Sequence, residues 1–227
     1  MMMNHAGPGR RSEVSPAQFR RIALLILSLG SWGIFYWLAE SAHADVRQAF
    51  DERLRAAIHG FAHQALTWFM LSATQLGSGY VLSTVTIVTV VVFVSRKWYR
   101  MVVLLVVNML AIPWFTDYLK MSFHRMRPEP YFGVPLPSSY SFPSGHAFSS
   151  FCCYGMIVAL LSAHLINHRA RVSLWVAGVF LILIVGLSRI YLGVHYPSDV
   201  LGGWAAALAW ISFLLVFAQK DETESAD

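Results

Sequence analysis

Six uncharged stretches, residues 22–39, 79–95, 101–116, 147–167, 172–188 and 200–219, are each long enough, or nearly so, to cross a bilayer. A hydrocarbon core about 30 Å thick takes roughly 20 apolar residues of helix. Within it every backbone polar group must be satisfied internally, which confines such a chain to a bundle of spanning helices. Composition agrees, because 56% of the residues are hydrophobic, 13% are charged and the mean hydropathy is +0.53. These values exclude an ordinary soluble domain. The expected fold is all-α: a polytopic membrane helical bundle with six transmembrane helices and an interfacial amphipathic segment between the first two.

The net charge of +5 does not imply nucleic-acid binding, because the basic residues form short groups between apolar runs and not one patch. Arg10, Arg11, Arg20 and Arg21 precede the first run; Arg96, Lys97 and Arg100 separate the second from the third; Arg169 and Arg171 separate the fourth from the fifth. With six spans these groups share one side, which the positive-inside rule makes cytoplasmic. The expected division is a cytoplasmic segment at 1–21, a transmembrane domain at 22–219 and a cytoplasmic tail at 220–227. The domain carries an outer amphipathic segment at 45–78 and a proline-rich loop at 123–145. Ala42-His43-Ala44 after the first run resembles a cleavage site, but the 18-residue run with Trp32, Tyr36 and Trp37 suits a retained anchor. Cleavage would leave five spans.

Phe50, Leu54, Ile58, Phe61, Ala65 and Phe69 recur at helical spacing among Asp51, Glu52, Arg53, Arg55 and His59, which predicts one or two amphipathic helices on the outer interface. A seventh span at 60–76 would put Arg96, Lys97 and Arg100 opposite the N-terminal arginines, so it is not favoured. Cys152 and Cys153 are adjacent within a span and read as small apolar filler. Asn108 reads as an interhelical hydrogen bonder.

Polar residues of one chemistry collect at the outer ends of the runs. Lys120 follows the third run, with Arg127-Pro128 seven residues on; Pro143-Ser144-Gly145-His146 leads into the fourth; Ser188-Arg189 closes the fifth; His195 and Asp199 stand before the sixth. Lysine and arginine match phosphate oxygens. A helix start with Ser144 and Gly145 offers N–H groups to an anion. Asp199 could hold one ring nitrogen of His195 and leave the other free to attack phosphorus, with His146 as a proton donor. Taken singly, Lys120 and Arg127 read as snorkelling anchors and Ser144 as a helix cap. Together they read as a phosphate site. A metal held by His146, His195 and Asp199 ranks below that, since the cations would repel it.

The patterns K-x6-R-P, P-S-G-H and S-R-x5-H-x3-D, with eleven fixed identities all present in order, resemble the signature of the type-2 phosphatidic acid phosphatase superfamily. The resemblance runs from about residue 44 to 217, and the layout is most similar to that of six-span bacterial phosphatidylglycerophosphate and undecaprenyl pyrophosphate phosphatases. It implies His195 as a nucleophile forming a phosphohistidine, Asp199 as its orienting carboxylate and His146 as the acid for the leaving oxygen. Lys120, Arg127, Ser144, Gly145 and Arg189 would bind the phosphoryl oxygens, and Asp117 would position Lys120. It implies no cofactor and no metal. The expected partners are a membrane lipid phosphate and the bilayer, with no nucleic acid and no obligate protein. The expected location is the cytoplasmic (inner) membrane of a bacterial-type cell, with the site facing outward. Candidate substrates are phosphatidylglycerophosphate, undecaprenyl pyrophosphate, phosphatidic acid and lipid A phosphates. Alternatives are a lipid-phosphate binding or transport protein without turnover, or an enzyme like the vanadium-dependent haloperoxidases.

Overall fold

The computed structural model describes residues 15–42 and 44–218. The tail expected at 220–227, Arg10, Arg11 and the centre of the Ala42-His43-Ala44 sequence lie outside the described residues.

Helix α1 (Pro16–Ser41) starts on a capping box in which Ser15 and Gln18 exchange side-chain and backbone bonds, with Pro16 at the first helical position. It packs along α9 (Pro197–Val216), and Ser28 Oγ donates to the Ala209 carbonyl at 2.8 Å. Two shorter helices follow, α2 (Asp45–His59) and α3 (Gln64–Gln75), so the segment expected at 45–78 folds as two helices. Then come α4 (Gly79–Ser95) and α5 (Tyr99–Phe123). The next span, Gly145–Ser162, is continuous but built from α6 (Gly145–Ser150), a π-helical turn (Phe151–Gly155) and α7 (Met156–Ser162). Helix α8 (His168–Tyr191) is capped by Asn167, whose side chain accepts from the N–H groups of Arg169 and Ala170.

Five of these elements, α1, α5, α6 to α7, α8 and α9, are long and apolar enough to cross a membrane. The sixth expected span falls on α4 and is completed by a bent pair. At 17 residues α4 rises about 26 Å, at the lower limit for a span on its own. Together with α3, across a break bent by 51°, it makes the sixth candidate span. Helix α5 also runs past the apolar stretch that announced it, so Lys120 lies within its last turn and not beyond its end.

The π-helical turn disturbs the regular ladder, and Asn108 of α5 answers it. Its Nδ2 donates to the Cys152 carbonyl at 2.9 Å, and its Oδ1 accepts from Trp210 Nε1 at 3.1 Å. A buried amide between three helices is thereby satisfied. Cys152 and Cys153 are free and buried, as small filler would be.

Helix α2 is turned against the usual sense of an amphipathic helix. Phe50 is 53% exposed, while Asp51 on the same helix is fully buried and Arg55 nearly so. In a bilayer this is the stable orientation: the apolar face meets lipid and the polar face finds partners in the protein.

Candidate active site

The ends of α5 and α8 meet the starts of α6 and α9, and every expected site residue lies at this one end of the bundle. Close approach depends on Gly203 of α9, where a Cβ would stand 2.8 Å from the Ser144 carbonyl. Ser144 N–H in turn donates to the Asp199 carbonyl at 2.9 Å. Gly193, with φ +75°, turns the chain out of α8; a Cβ there would collide with Tyr131, whose N–H bonds the Leu192 carbonyl.

His195 occupies the short segment between α8 and α9, 2% exposed. Its Nδ1 is 3.3 Å from Asp199 Oδ2, and its Nε2 accepts from Arg127 Nη1 at 3.0 Å. One ring nitrogen thus faces a carboxylate and the other faces a cation. Burial, opposed by Asp199, pushes the imidazole pKa down to about 3, so the ring is neutral near neutral pH. With Nδ1–H donated to Asp199, the Nε2 lone pair points at the cationic side. Asp199 sits in the first turn of α9, where its Oδ2 also accepts from Tyr196 N–H at 2.9 Å, half of a capping box.

Arg127 is held entirely by neutral acceptors. Its Nε donates to the Ser139 carbonyl at 2.8 Å, Nη1 to the Val194 carbonyl at 3.0 Å, and Nη2 to Ser139 Oγ and the Tyr140 carbonyl. Burial lowers its pKa against the pull of Asp199. Lys120 Nζ donates to the same Ser139 hydroxyl at 3.0 Å and would lie 3.8 Å from a Cβ on Gly145. Arg189 Nη1 donates to Thr74 Oγ1 of α3 at 2.7 Å. His146 stands within electrostatic range of Arg189, His195, Lys120 and Arg127. Among the described residues, Lys120, Arg127 and Arg189 form no ion pair with a carboxylate, and the buried Ser144 Oγ and Arg189 Nε have no hydrogen-bond partner. Unmatched positive charge and orphaned buried donors together describe a seat for an oxyanion.

All eight expected residues therefore converge. Asp117 is exposed and makes no ion pair with Lys120, but its charge favours the lysine's charged form, while the hydrogen bond that holds Lys120 Nζ goes to Ser139. The sequence reading also missed Arg125, Ser141, Ser198 and Asp51. Arg125 Nη1 donates to Asp199 Oδ1 at 2.6 Å and Nη2 to Asp51 Oδ2 at 2.7 Å, while Ser141 Oγ donates to Asp199 Oδ2. Burial disfavours the charge on Arg125, but the two carboxylates more than offset this and raise its pKa.

A cavity of about 730 Å³ lies at the other end of the bundle, bordered by Arg20, Lys97, Trp98, Arg100, His164 and Ala218 among others. None of the site residues touches it, so it is separate from the chemistry. It does show that Arg20 near the start of α1, Lys97 before α5 and Arg100 in the first turn of α5 share the end opposite the site.

A helical membrane bundle that concentrates unpaired cations around a neutral histidine belongs with the membrane enzymes that handle phosphoryl groups. Residues 98–222 match the family model described as the PAP2 superfamily. The chain belongs to that superfamily and is a multi-pass membrane phosphatase. It is 34% identical over 192 residues to phosphatidylglycerophosphatase B of Bacillus subtilis, covering 82% of this chain and 92% of that protein. A shorter match, 39% over 82 residues, covers 36% of this chain and 35% of an undecaprenyl-diphosphatase of Sulfolobus acidocaldarius. The fold is similar to the crystal structure of a transmembrane PAP2-type phosphatidylglycerolphosphate phosphatase from Bacillus subtilis, with TM-score 0.74 and 28% identity. That match covers 88% of this chain and 98% of the other. It is also similar to Aquifex aeolicus LpxE, with TM-score 0.50 and 26% identity over 71% of this chain and 93% of that one.

Proposed function

We propose that this protein removes phosphate from a membrane lipid through a phosphohistidine on His195, and that phosphatidylglycerophosphate is the first substrate to test. The observation that carries the mechanism is the position of His195, with Nδ1 against Asp199 and Nε2 against Arg127. Nε2 attacks phosphorus as the bond to the leaving oxygen breaks, and His146, protonated once the bound phosphate anion offsets the neighbouring cations, supplies the proton that oxygen needs. Water then attacks the phosphohistidine, giving up a proton to His146, and the N–P bond breaks to release inorganic phosphate. Lys120, Arg127, Arg189, Ser144 and the backbone at Gly145 hold the phosphoryl oxygens and balance the charge that builds up on them.

The substrate class rests on the similarity to phosphatidylglycerophosphatase B and on the place of the site at the helix ends. A headgroup can enter there while its tails stay in the bilayer. By the positive-inside rule, the end carrying Arg20, Lys97 and Arg100 is cytoplasmic and the site faces outward, with the inner membrane as its location. The test is phosphate release by purified protein from a panel of lipid mono- and diphosphates in mixed micelles. Acid-labile phosphate trapped on His195 supports the mechanism. Lipid binding with no phosphate released refutes it in favour of a binding or transport role.

A further inference from the structure

Helix α2 contributes a carboxylate to the interior that the reaction scheme leaves unused. Asp51 is fully buried, and a charge so placed persists only with partners. It has three contacts: Arg125 Nη2 donates to Oδ2 at 2.7 Å, Ser198 N–H donates to Oδ1 at 3.0 Å, and Ser198 Oγ donates to Oδ2. Arg125 spans the gap to the nucleophile's carboxylate, with Nη1 donating to Asp199 Oδ1 at 2.6 Å and to Ser198 Oγ at 2.7 Å. Its guanidinium lies 4.2 Å from the centroid of the Tyr196 ring, beside His195 in sequence. With Oδ1 fixed by Arg125, the other oxygen of Asp199 is left to Tyr196 N–H, Ser141 and His195.

We propose that Asp51 and Arg125 are positioning residues for the His195–Asp199 pair, so that the lipid-facing helix α2 is part of the catalytic machinery. Arg125 locks the rotation of the Asp199 carboxylate, which sets the plane of the imidazole and the aim of Nε2. Asp51 balances the second edge of the guanidinium, so that Arg125 does not withdraw charge from Asp199 alone. Neither touches substrate. Displacing α2 from its seat on the bundle loosens the nucleophile.

This inference rests on His195 being the nucleophile, and its test separates the two. In full-length protein, Asp51→Asn removes the charge while keeping the shape. The double variant Asp51→Asn with Arg125→Met removes the pair and leaves one buried carboxylate, Asp199, without its guanidinium, where Arg125→Met alone leaves two. Expected for both folded variants is a fall in kcat of roughly 10- to 100-fold with KM unchanged, the double variant recovering thermal stability relative to Arg125→Met alone. Wild-type kcat in either folded variant overturns the proposal. Failure of both to fold assigns the pair to stability alone and also overturns it. His195→Ala in the same assay reports on the underlying reading: if it stays active, the nucleophile assignment falls, whatever the α2 variants do.

Discussion

Arg125 and Arg127 stand two residues apart on the same loop and have opposite surroundings. Arg125 is 4% exposed and spends its guanidinium on two carboxylates, Asp51 and Asp199. Arg127 is fixed just as fully, but by carbonyls, a hydroxyl and an imidazole. Neutral acceptors orient a guanidinium without consuming its charge. A carboxylate cancels the charge it orients. Arg127 therefore keeps its charge uncompensated, as do Lys120 and Arg189, while Arg125 is an internal strut.

That contrast is open to measurement. His195→Ala, which removes the group both arginines serve, is expected to lower phosphate release by about 10⁴-fold or more in mixed micelles with the fold retained. Wild-type-like turnover would show that the two arginines are organised around something else. Arg127→Gln is expected to cost about 10²- to 10³-fold in kcat, the size of a lost transition-state donor, with little change in melting temperature. Arg125→Gln strands two buried carboxylates and should cost about 3–5 kcal/mol of stability as well. Equal thermal penalties in the two variants would erase the distinction. Vanadate, as a mimic of pentacoordinate phosphorus, should compete with substrate in the wild type and lose roughly tenfold or more in affinity in Arg127→Gln. Undiminished inhibition would place the anion elsewhere.

The smallest expected effect is in the pH dependence of stability. The His195 imidazole is held near a pKa of about 3, against about 6.5 in an unfolded chain. Between those values the unfolded state binds the proton and the native state does not. This site therefore contributes stability above pH ~6.5 and loses it as pH falls, by at most about 1.4 kcal/mol per unit. Denaturation at pH 5 and 7 should show a steeper loss in wild type than in His195→Ala. A His195 ring that NMR finds charged at pH 5 would contradict the environment described for it.

Much of the site was legible before any coordinates. Lys120, Arg127, Ser144, His146, Arg189, His195 and Asp199 announce themselves because each is polar near the edge of an apolar run, where a charge is costly unless used, and Gly145 is read from its place between Ser144 and His146. Arg125 stands at such an edge too, but its role depends on partners 74 residues away in either direction, Asp51 and Asp199. Ser139 and Thr74, which steady Lys120 and Arg189, carry no local signal at all. A signal for α2 did exist: Asp51 and Arg55 are four apart and alternate with Phe50 and Leu54. In a membrane protein that pattern places the polar stripe inward.

By itself the sequence determined that this chain is a helical membrane bundle, which end gathers the candidate site residues and which histidine has a carboxylate within reach. Hydrophobic run length and local spacing carry that information, since both act along a single helix or turn. Only the tertiary structure decided which cations remain uncompensated, which way α2 faces and that the Asp199 carboxylate beside His195 is braced from it. Those outcomes depend on which buried charges meet across helices, and burial is settled by the whole bundle.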